Sequence, residues 1–199
     1  MTIAFLFILL FALMLIGVPV AVSLGTSTVL TMIFFTDIDI ATIPQLIFDG
    51  INKFSLMAIP MFILAGNLLS KGGSARRIID FAKSMVGHLP GGLPMSAIFA
   101  CIIFAAVSGS SPATVVAIGS IMFAAIKEAG YPKEYAVGGI TAAGSLGILI
   151  PPSVVMIVYG VTAEVSIGKL FMAGVVPGLM LGAFMLVQTY IGAKKLGFK

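Results

Sequence analysis

The chain has 199 residues, 60% of them hydrophobic and 9% charged, with a formal net charge of +4. A soluble domain carries about 25% charged residues because its surface has to meet water, so this composition excludes a soluble domain and indicates an integral membrane protein. All eleven Lys/Arg and all seven Asp/Glu fall in five windows, residues 37–53, 71–83, 127–134, 164–169 and 194–199, so the positive balance is a topology signal and no nucleic acid is expected as a partner.

Residues 2–35 are uncharged and interrupted by "GVP" at Gly17 to Pro19. As one helix they would be about 51 Å long, against a hydrocarbon core of about 30 Å. Two short spans meeting near Gly17 and Pro19 fit better, with a tilted, kinked single helix as the alternative. The start "MTIAFLFILLFALML" has neither a basic n-region nor a small-residue cleavage site, so it reads as a mature membrane helix and not a signal peptide. The acidic, partly apolar "TDIDIATIPQLIFDGIN" follows, then a span from Phe54 to Ser70 with Pro60 and Gly66. Residues 1–70 are thus N-terminal membrane helices.

Residues 71–88 differ. Ala75, Ile78, Ile79, Ala82, Met85, Val86 and Leu89 recur at helical spacing, while Arg76, Arg77, Asp80 and Lys83 take the other side. This predicts a basic amphipathic helix at the membrane surface, closed by His88 at the lipid interface. Residues 89–127 hold an uncharged run with "VSGSSPATV" in its middle, residues 135–160 a span broken by "GSLGILIPPS", and residues 170–199 a last helix ending in "KKLGFK". The lone Cys101 permits no disulfide framework and reads as a small buried hydrophobe.

The windows at 71–83, 127–134 and 194–199 hold nine of the eleven basic residues. The positive-inside rule puts those three in the cytoplasm and the other two outside, with an external N-terminus. The run from Leu89 to Ile126 must then enter and return on one side. Its returning arm, Pro112 to Ile126, is fifteen residues, about 22 Å of helix, which is short for a full crossing and predicts a re-entrant hairpin with "SGSSP" at its tip.

Non-helical backbone at membrane depth is tolerated only where protein or a water-filled cavity encloses it. Carbonyls and hydroxyls of Ser108, Gly109, Ser110 and Ser111, with Thr114 one turn on, are hard oxygen ligands suited to a small cation. The helix starting near Pro112 turns its positive end to the same place, where an anion is favoured. In "GSLGILIPPSVV" the prolines Pro151 and Pro152 leave carbonyls near Gly147 and Ile148 without amide partners, and Ser153 opens a second half-helix. Single Gly, Ser and Pro residues in membrane helices are commonly packing and kink residues, and Gly66, Gly92, Pro94, Gly174, Pro177 and Gly178 are read so. Two polar breaks flanking one cytoplasmic turn are read as a transporter-type site.

The stretch from Ser108 to Gly160, with "IPMFILAGNLLSKGG" before it and "KLFMAGVVPG" after it, resembles the large permease (M) subunit of the tripartite ATP-independent periplasmic (TRAP) transporters, DctM-like. The resemblance covers nearly the whole chain. It implies an all-α polytopic membrane protein, the first inverted repeat of an elevator-type transporter, with residues 1–70 as scaffold, a re-entrant hairpin and a broken helix. It implies a sodium-driven importer of organic acids in the bacterial inner membrane, with a periplasmic substrate-binding protein and a small membrane (Q) subunit as partners. The family's sodium site carries over to Ser108, Gly109 and Ser110, facing Gly144, Ser145, Gly147, Ile148 and Pro151. Substrate contacts carry over to Ser110, Ser111, Thr114 and Ser153. Sialic-acid members have an acidic residue where this chain has Thr114, which leans toward C4-dicarboxylate-type acids. The family's large subunit is about twice this length, so the chain resembles its N-terminal half and would need the C-terminal half as a further partner.

No catalysis and no organic cofactor are expected, sodium being the coupling ion. An intramembrane hydrolase lacks a base, since His88 sits at the interface while the serines lie deep. A channel, whose filter also exposes carbonyls, and an inactive or assembly fragment of a permease are the alternatives.

Overall fold

The computed structural model describes residues 2–36, 39 and 41–197. Among these residues every regular element is a helix. Asp37 of the first charged window, and Phe198 and Lys199 of the last one, lie outside the described residues. The chain divides into two units, Met1–Lys53 and Phe54–Lys199, each with its own internal packing.

In the first unit the uncharged run is two helices, α1 (Thr2–Leu15) and α2 (Val20–Phe35). Val18 N–H donates to Leu13 O at 3.1 Å and Gly17 N–H to Met14 O at 3.0 Å, a Schellman closure that ends α1. Pro19, which cannot donate, then stands at the N-cap of α2. The Phe5 ring lies 6.4 Å from that of Phe34 and 4.9 Å from that of Phe35, so the start of α1 meets the end of α2 and the pair is antiparallel. On α2, the buried hydroxyls of Ser23 and Thr31 donate back to Val18 O and Ser27 O at 3.2 and 2.6 Å, which satisfies them where water is scarce. Helix α3 (Thr42–Ile51) falls within the acidic segment and exposes Leu46, Ile47, Phe48 and Ile51.

The second unit starts with a single 3₁₀ turn, Phe54–Met57, running into α4 (Ala58–Lys71). There follow α5 (Ser74–Val86), α6 (Gly92–Ser108), α7 (Ser111–Glu128), α8 (Lys133–Gly144), the short α9 (Leu146–Leu149), α10 (Val154–Thr162) and α11 (Ile167–Lys195). Helix α6 is the centre of this unit. It packs on α4, α5, α7, α8, α9 and α11, and its residues Met95, Ala97, Ile98, Ala100, Cys101, Phe104 and Ala105 are all buried. Small side chains let so many neighbours approach one helix, which is how membrane helices gain packing energy where lipid is as apolar as leucine. Phe104, Ile118 and Met122 fill the space between α6 and α7.

The amphipathic α5 turns Ala75, Ile79 and Ala82 into this core and leaves Arg76, Arg77 and Asp80 exposed. Part of its apolar stripe is therefore taken by α6, while Met85 of the same stripe stays exposed: the sequence marks a stripe that needs covering but not what covers it. Helix α7 begins at Ser111 and ends at Glu128, 18 residues that are long and apolar enough to cross a membrane. The arm is thus longer than the fifteen residues between Pro112 and Ile126, because Ser111, Lys127 and Glu128 join the helix. Phe54–Lys71 and Ile167–Lys195 also meet that measure, and the pair Lys133–Leu149 and Val154–Thr162, bent by 41°, makes a fourth if it is one broken span. Large apolar side chains stand exposed along these helices, among them Met61, Leu64, Val116, Met172, Val176 and Phe184. So much exposed apolar surface calls for lipid or a protein partner.

Candidate functional site

The end of α6 and the start of α7 are joined by two non-helical residues. Gly109 adopts a left-handed φ of +61°, and Ser110 is extended at φ −136°, ψ 121°. The left-handed turn suits glycine, and here space requires it as well: a Cβ on Gly109 would stand 2.5 Å from Pro152 O. Ser110 is the N-cap of α7, its Oγ accepting Ala113 N–H at 3.4 Å, with Pro112 in the first turn, where its missing N–H costs nothing.

Buried hydroxyls brace the turn from beneath. Ser108 Oγ and Thr114 Oγ1 are hydrogen-bonded at 3.0 Å, and Thr114 Oγ1 donates to Ser110 O at 2.9 Å. Ser110 N–H donates to Ser108 Oγ at 3.4 Å. Ser108 and Thr114 are fully buried. The turn thus keeps its polar atoms satisfied without charge.

The second break faces the first. Helix α9 ends at Leu149 and α10 begins at Val154, with Pro151 and Pro152 between them joined by a cis peptide bond. Pro151 and Pro152 have no N–H to give Gly147 O and Ile148 O. Ser153, buried and extended, caps α10 by accepting Met156 N–H at 3.4 Å, repeating what Ser110 does for α7. The two breaks are bonded directly: Val154 N–H donates to Gly109 O at 3.1 Å. On the other side, a Cβ at Gly147 would stand 2.8 Å from both Ser110 C and Ser111 N, and one at Gly144 would strike Val115. Gly147 is thus a gap that lets two backbones touch, and Gly144 one that admits the Val115 side chain.

Four helix ends therefore converge. The C-terminal ends of α6 and α9 bring carbonyls, with partial negative charge, and the N-terminal ends of α7 and α10 bring partial positive charge and a serine each. Of the sequence-predicted residues, Ser108, Gly109, Ser110, Ser111, Thr114, Gly144, Gly147 and Ser153 lie in this cluster. Ser145 and Ile148 flank it: Ser145 Oγ donates back to Ala142 O at 2.7 Å and the Ile148 side chain is exposed, so neither hydrogen-bonds to the tip. Pro151 is half-buried, and it is its neighbour Pro152 whose carbonyl meets Gly109.

Sequence reasoning missed the outer support. Gly174 and Gly178, read there as packing residues alone, press α11 against the break itself, where Cβ atoms would stand 2.5 Å from Leu149 O and 2.8 Å from Ile150 Cγ1. The signal was the four-residue spacing of Gly174, Gly178 and Gly182, which puts them on one side of α11. Among the described residues no group of His, Cys, Asp and Glu is placed to hold a metal ion; the oxygens on offer are carbonyls and hydroxyls.

The model of the DctM component of the tripartite ATP-independent periplasmic transporters matches residues 7–199. The chain belongs to the DctM family. Among its relatives, the C4-dicarboxylate TRAP transporter large permease protein DctM of Rhodobacter capsulatus is 52% identical over 205 residues, which cover 96% of this chain and 46% of that protein. The C4-dicarboxylate DctM of Pseudomonas aeruginosa is 53% identical over 194 residues, 98% of this chain and 45% of that protein. The isethionate TRAP transporter permease protein DctMQ of Oleidesulfovibrio alaskensis is 46% identical over 190 residues, 95% of this chain and 30% of that protein. The chain spans less than half the length of these relatives, and it corresponds to the N-terminal part of the DctM proteins. DctM-family membership, with the long apolar helices, identifies a multi-pass membrane protein, and one of a family of permeases and not of enzymes.

Proposed function

We propose that this DctM-family chain forms the first structural repeat of a sodium-coupled permease that imports organic acids of the C4-dicarboxylate type by an elevator movement. In this reading α6 and α7 are a re-entrant hairpin in a bacterial inner membrane, and α8 to α10 are one broken span. A periplasmic binding protein delivers the acid, a small Q-type subunit accompanies the chain, and the C-terminal half of the large permease completes the pocket. The observation that carries the proposal is the Gly109–Val154 junction, where two carbonyl-bearing helix ends and two serine-capped helix starts meet.

That arrangement divides the labour by charge. A small hard cation is suited to carbonyl and hydroxyl oxygens near Ser108, Gly109 and Ser110, facing Gly144, Ser145, Gly147, Ile148 and Pro151. A carboxylate is suited to the positive ends of α7 and α10, with Ser110, Ser111, Thr114 and Ser153 as hydroxyl contacts. Bound sodium would order the turn whose next residues greet the acid, which couples the two. Support for the re-entrant reading comes from the enclosure of the tip and from the basic windows at both hairpin ends, and not from a short arm. Support for the substrate class comes from two relatives above 50% identity that are named for C4-dicarboxylates.

The test is sodium-dependent uptake of a labelled C4-dicarboxylate into proteoliposomes holding the complete permease, its small subunit and the binding protein. Ser110→Ala should raise the sodium concentration needed for half-maximal uptake. An unchanged sodium dependence would remove Ser110 from the ion site, and uptake indifferent to sodium would end the coupling proposal.

A further inference from the structure

Helix α5 has three faces, and only one is accounted for. Ala75, Ile79 and Ala82 are buried against α6. A second face is charged: Arg76, Arg77 and Asp80 are exposed and Lys83 is half-buried, with Lys71 exposed at the end of α4. Between residues 71 and 83 four basic side chains thus stand beside one carboxylate. The third face is apolar and open. Phe81 and Met85 are each 52% exposed, one turn apart, and Phe81 follows Arg77 by one turn. The Phe81 ring lies 6.4 Å from that of Phe99, which packs on the core of the unit.

Large apolar side chains one turn from exposed arginines match a boundary between lipid headgroups and acyl chains. The aromatic ring and the thioether reach toward the hydrocarbon, while guanidinium groups meet phosphate in a bidentate fork. We infer that the outer side of α5, Arg76 and Arg77 with Phe81 and Met85, binds the headgroups of anionic phospholipids in the leaflet beside it. An acidic protein segment would match the arginines but would leave Phe81 and Met85 uncovered. The charge excess gives the selectivity, since each basic side chain near a membrane surface favours anionic lipid about fivefold. This inference concerns a surface away from the hairpin tip and holds or fails independently of sodium-coupled transport.

The chain contains no tryptophan, so Phe81→Trp supplies a single fluorescent reporter at the contact. The chain carrying this reporter is placed in phosphatidylcholine vesicles containing an equal minor fraction of either brominated phosphatidylglycerol or brominated phosphatidylcholine. Quenching by the anionic lipid should exceed quenching by the neutral one by at least about fivefold and weaken in high salt. The preference should fall at least about fivefold in R76Q/R77Q, leaving only what Lys71 and Lys83 contribute, and persist in R76K/R77K. A second reporter, Met85→Trp, gives the same readout without touching the Phe81–Phe99 pair. Equal quenching by both lipids, quenching by neither, or a preference undiminished in R76Q/R77Q would overturn the inference.

Discussion

The carbonyl of Gly109 accepts the N–H of Val154 at 3.1 Å, so the hairpin turn and the break in α8–α10 share a backbone hydrogen bond across 45 residues of chain. Neither end of that bond could be satisfied within its own helix, because each lies where a helix has just stopped or just begun. The two interruptions complete each other.

Replacing Gly109 with Ala should be the most damaging single change in the site. The left-handed φ of +61° costs an L-residue about 1 kcal/mol, and the new Cβ would press on Pro152 O, for a total of about 2–3 kcal/mol. Thermal unfolding in detergent should register a lowered midpoint, and the transport assay a near-complete loss. A Gly109→Ala protein with wild-type stability would mean that this turn is not held against Pro152.

Gly147→Ala tests the other wall. Its Cβ would stand 2.8 Å from Ser110 C and Ser111 N, and both are backbone, which cannot rotate aside as a side chain can. The expected cost is about 1–3 kcal/mol, with sodium-dependent uptake more impaired than protein yield. Gly138→Ala on the same broken span meets nothing within 4 Å and, since Ala is the better helix former, should lower neither measurement; a loss there equal to that at Gly147 would show that the contact with Ser110 and Ser111 does not govern the effect.

Thr114→Val removes one hydroxyl at nearly constant volume. Ser110 O loses its 2.9 Å donor and Ser108 Oγ its 3.0 Å partner, a buried loss of about 1–2 kcal/mol. Hydrogen exchange should quicken at the amides of Gly109 to Ala113 while α11 keeps its protection. Uniform quickening throughout the unit would count against a local bracing role for Thr114.

Tyr135 ties the start of α8 to the end of α11. Its hydroxyl donates to Thr189 O at 2.7 Å, and its ring stacks on Tyr131 at 5.8 Å. Tyr135→Phe keeps the stack and removes the bond, so stability should fall by about 1 kcal/mol, with faster exchange at the last turns of α11. An unchanged unfolding midpoint would indicate that water replaces the hydroxyl.

Much of this architecture was legible in residues whose meaning is local. Gly17 with Pro19 divides the first uncharged run, Ser110 with Pro112 starts α7, and Pro151 with Pro152 stops α9, each because φ or a missing N–H permits nothing else. What the sequence left dark was contact between distant segments. Nothing in the residues around Pro152 says that its carbonyl meets Gly109, or that Gly174 and Gly178 seat the break from outside. The apolar stripe of α5 was visible as a stripe, but a helix face tells its hydrophobicity and not its neighbour. Ser145 and Ile148 came from the family resemblance, and their side chains turn away from the tip, which leaves their backbone carbonyls as the groups that could face it.

Helix α6, enclosed by six other helices, also sets an order for biogenesis. A segment buried over most of its length, with Val107 exposed and Phe99, Ile102 and Ile103 partly so, has few of its native contacts until its neighbours exist. Ribosomes make α6 before α7, α8, α9 and α11, so its final seat becomes available only after α11 has emerged. Its small residues, which let neighbours approach closely, make its packing energy depend on the arrival of those later helices.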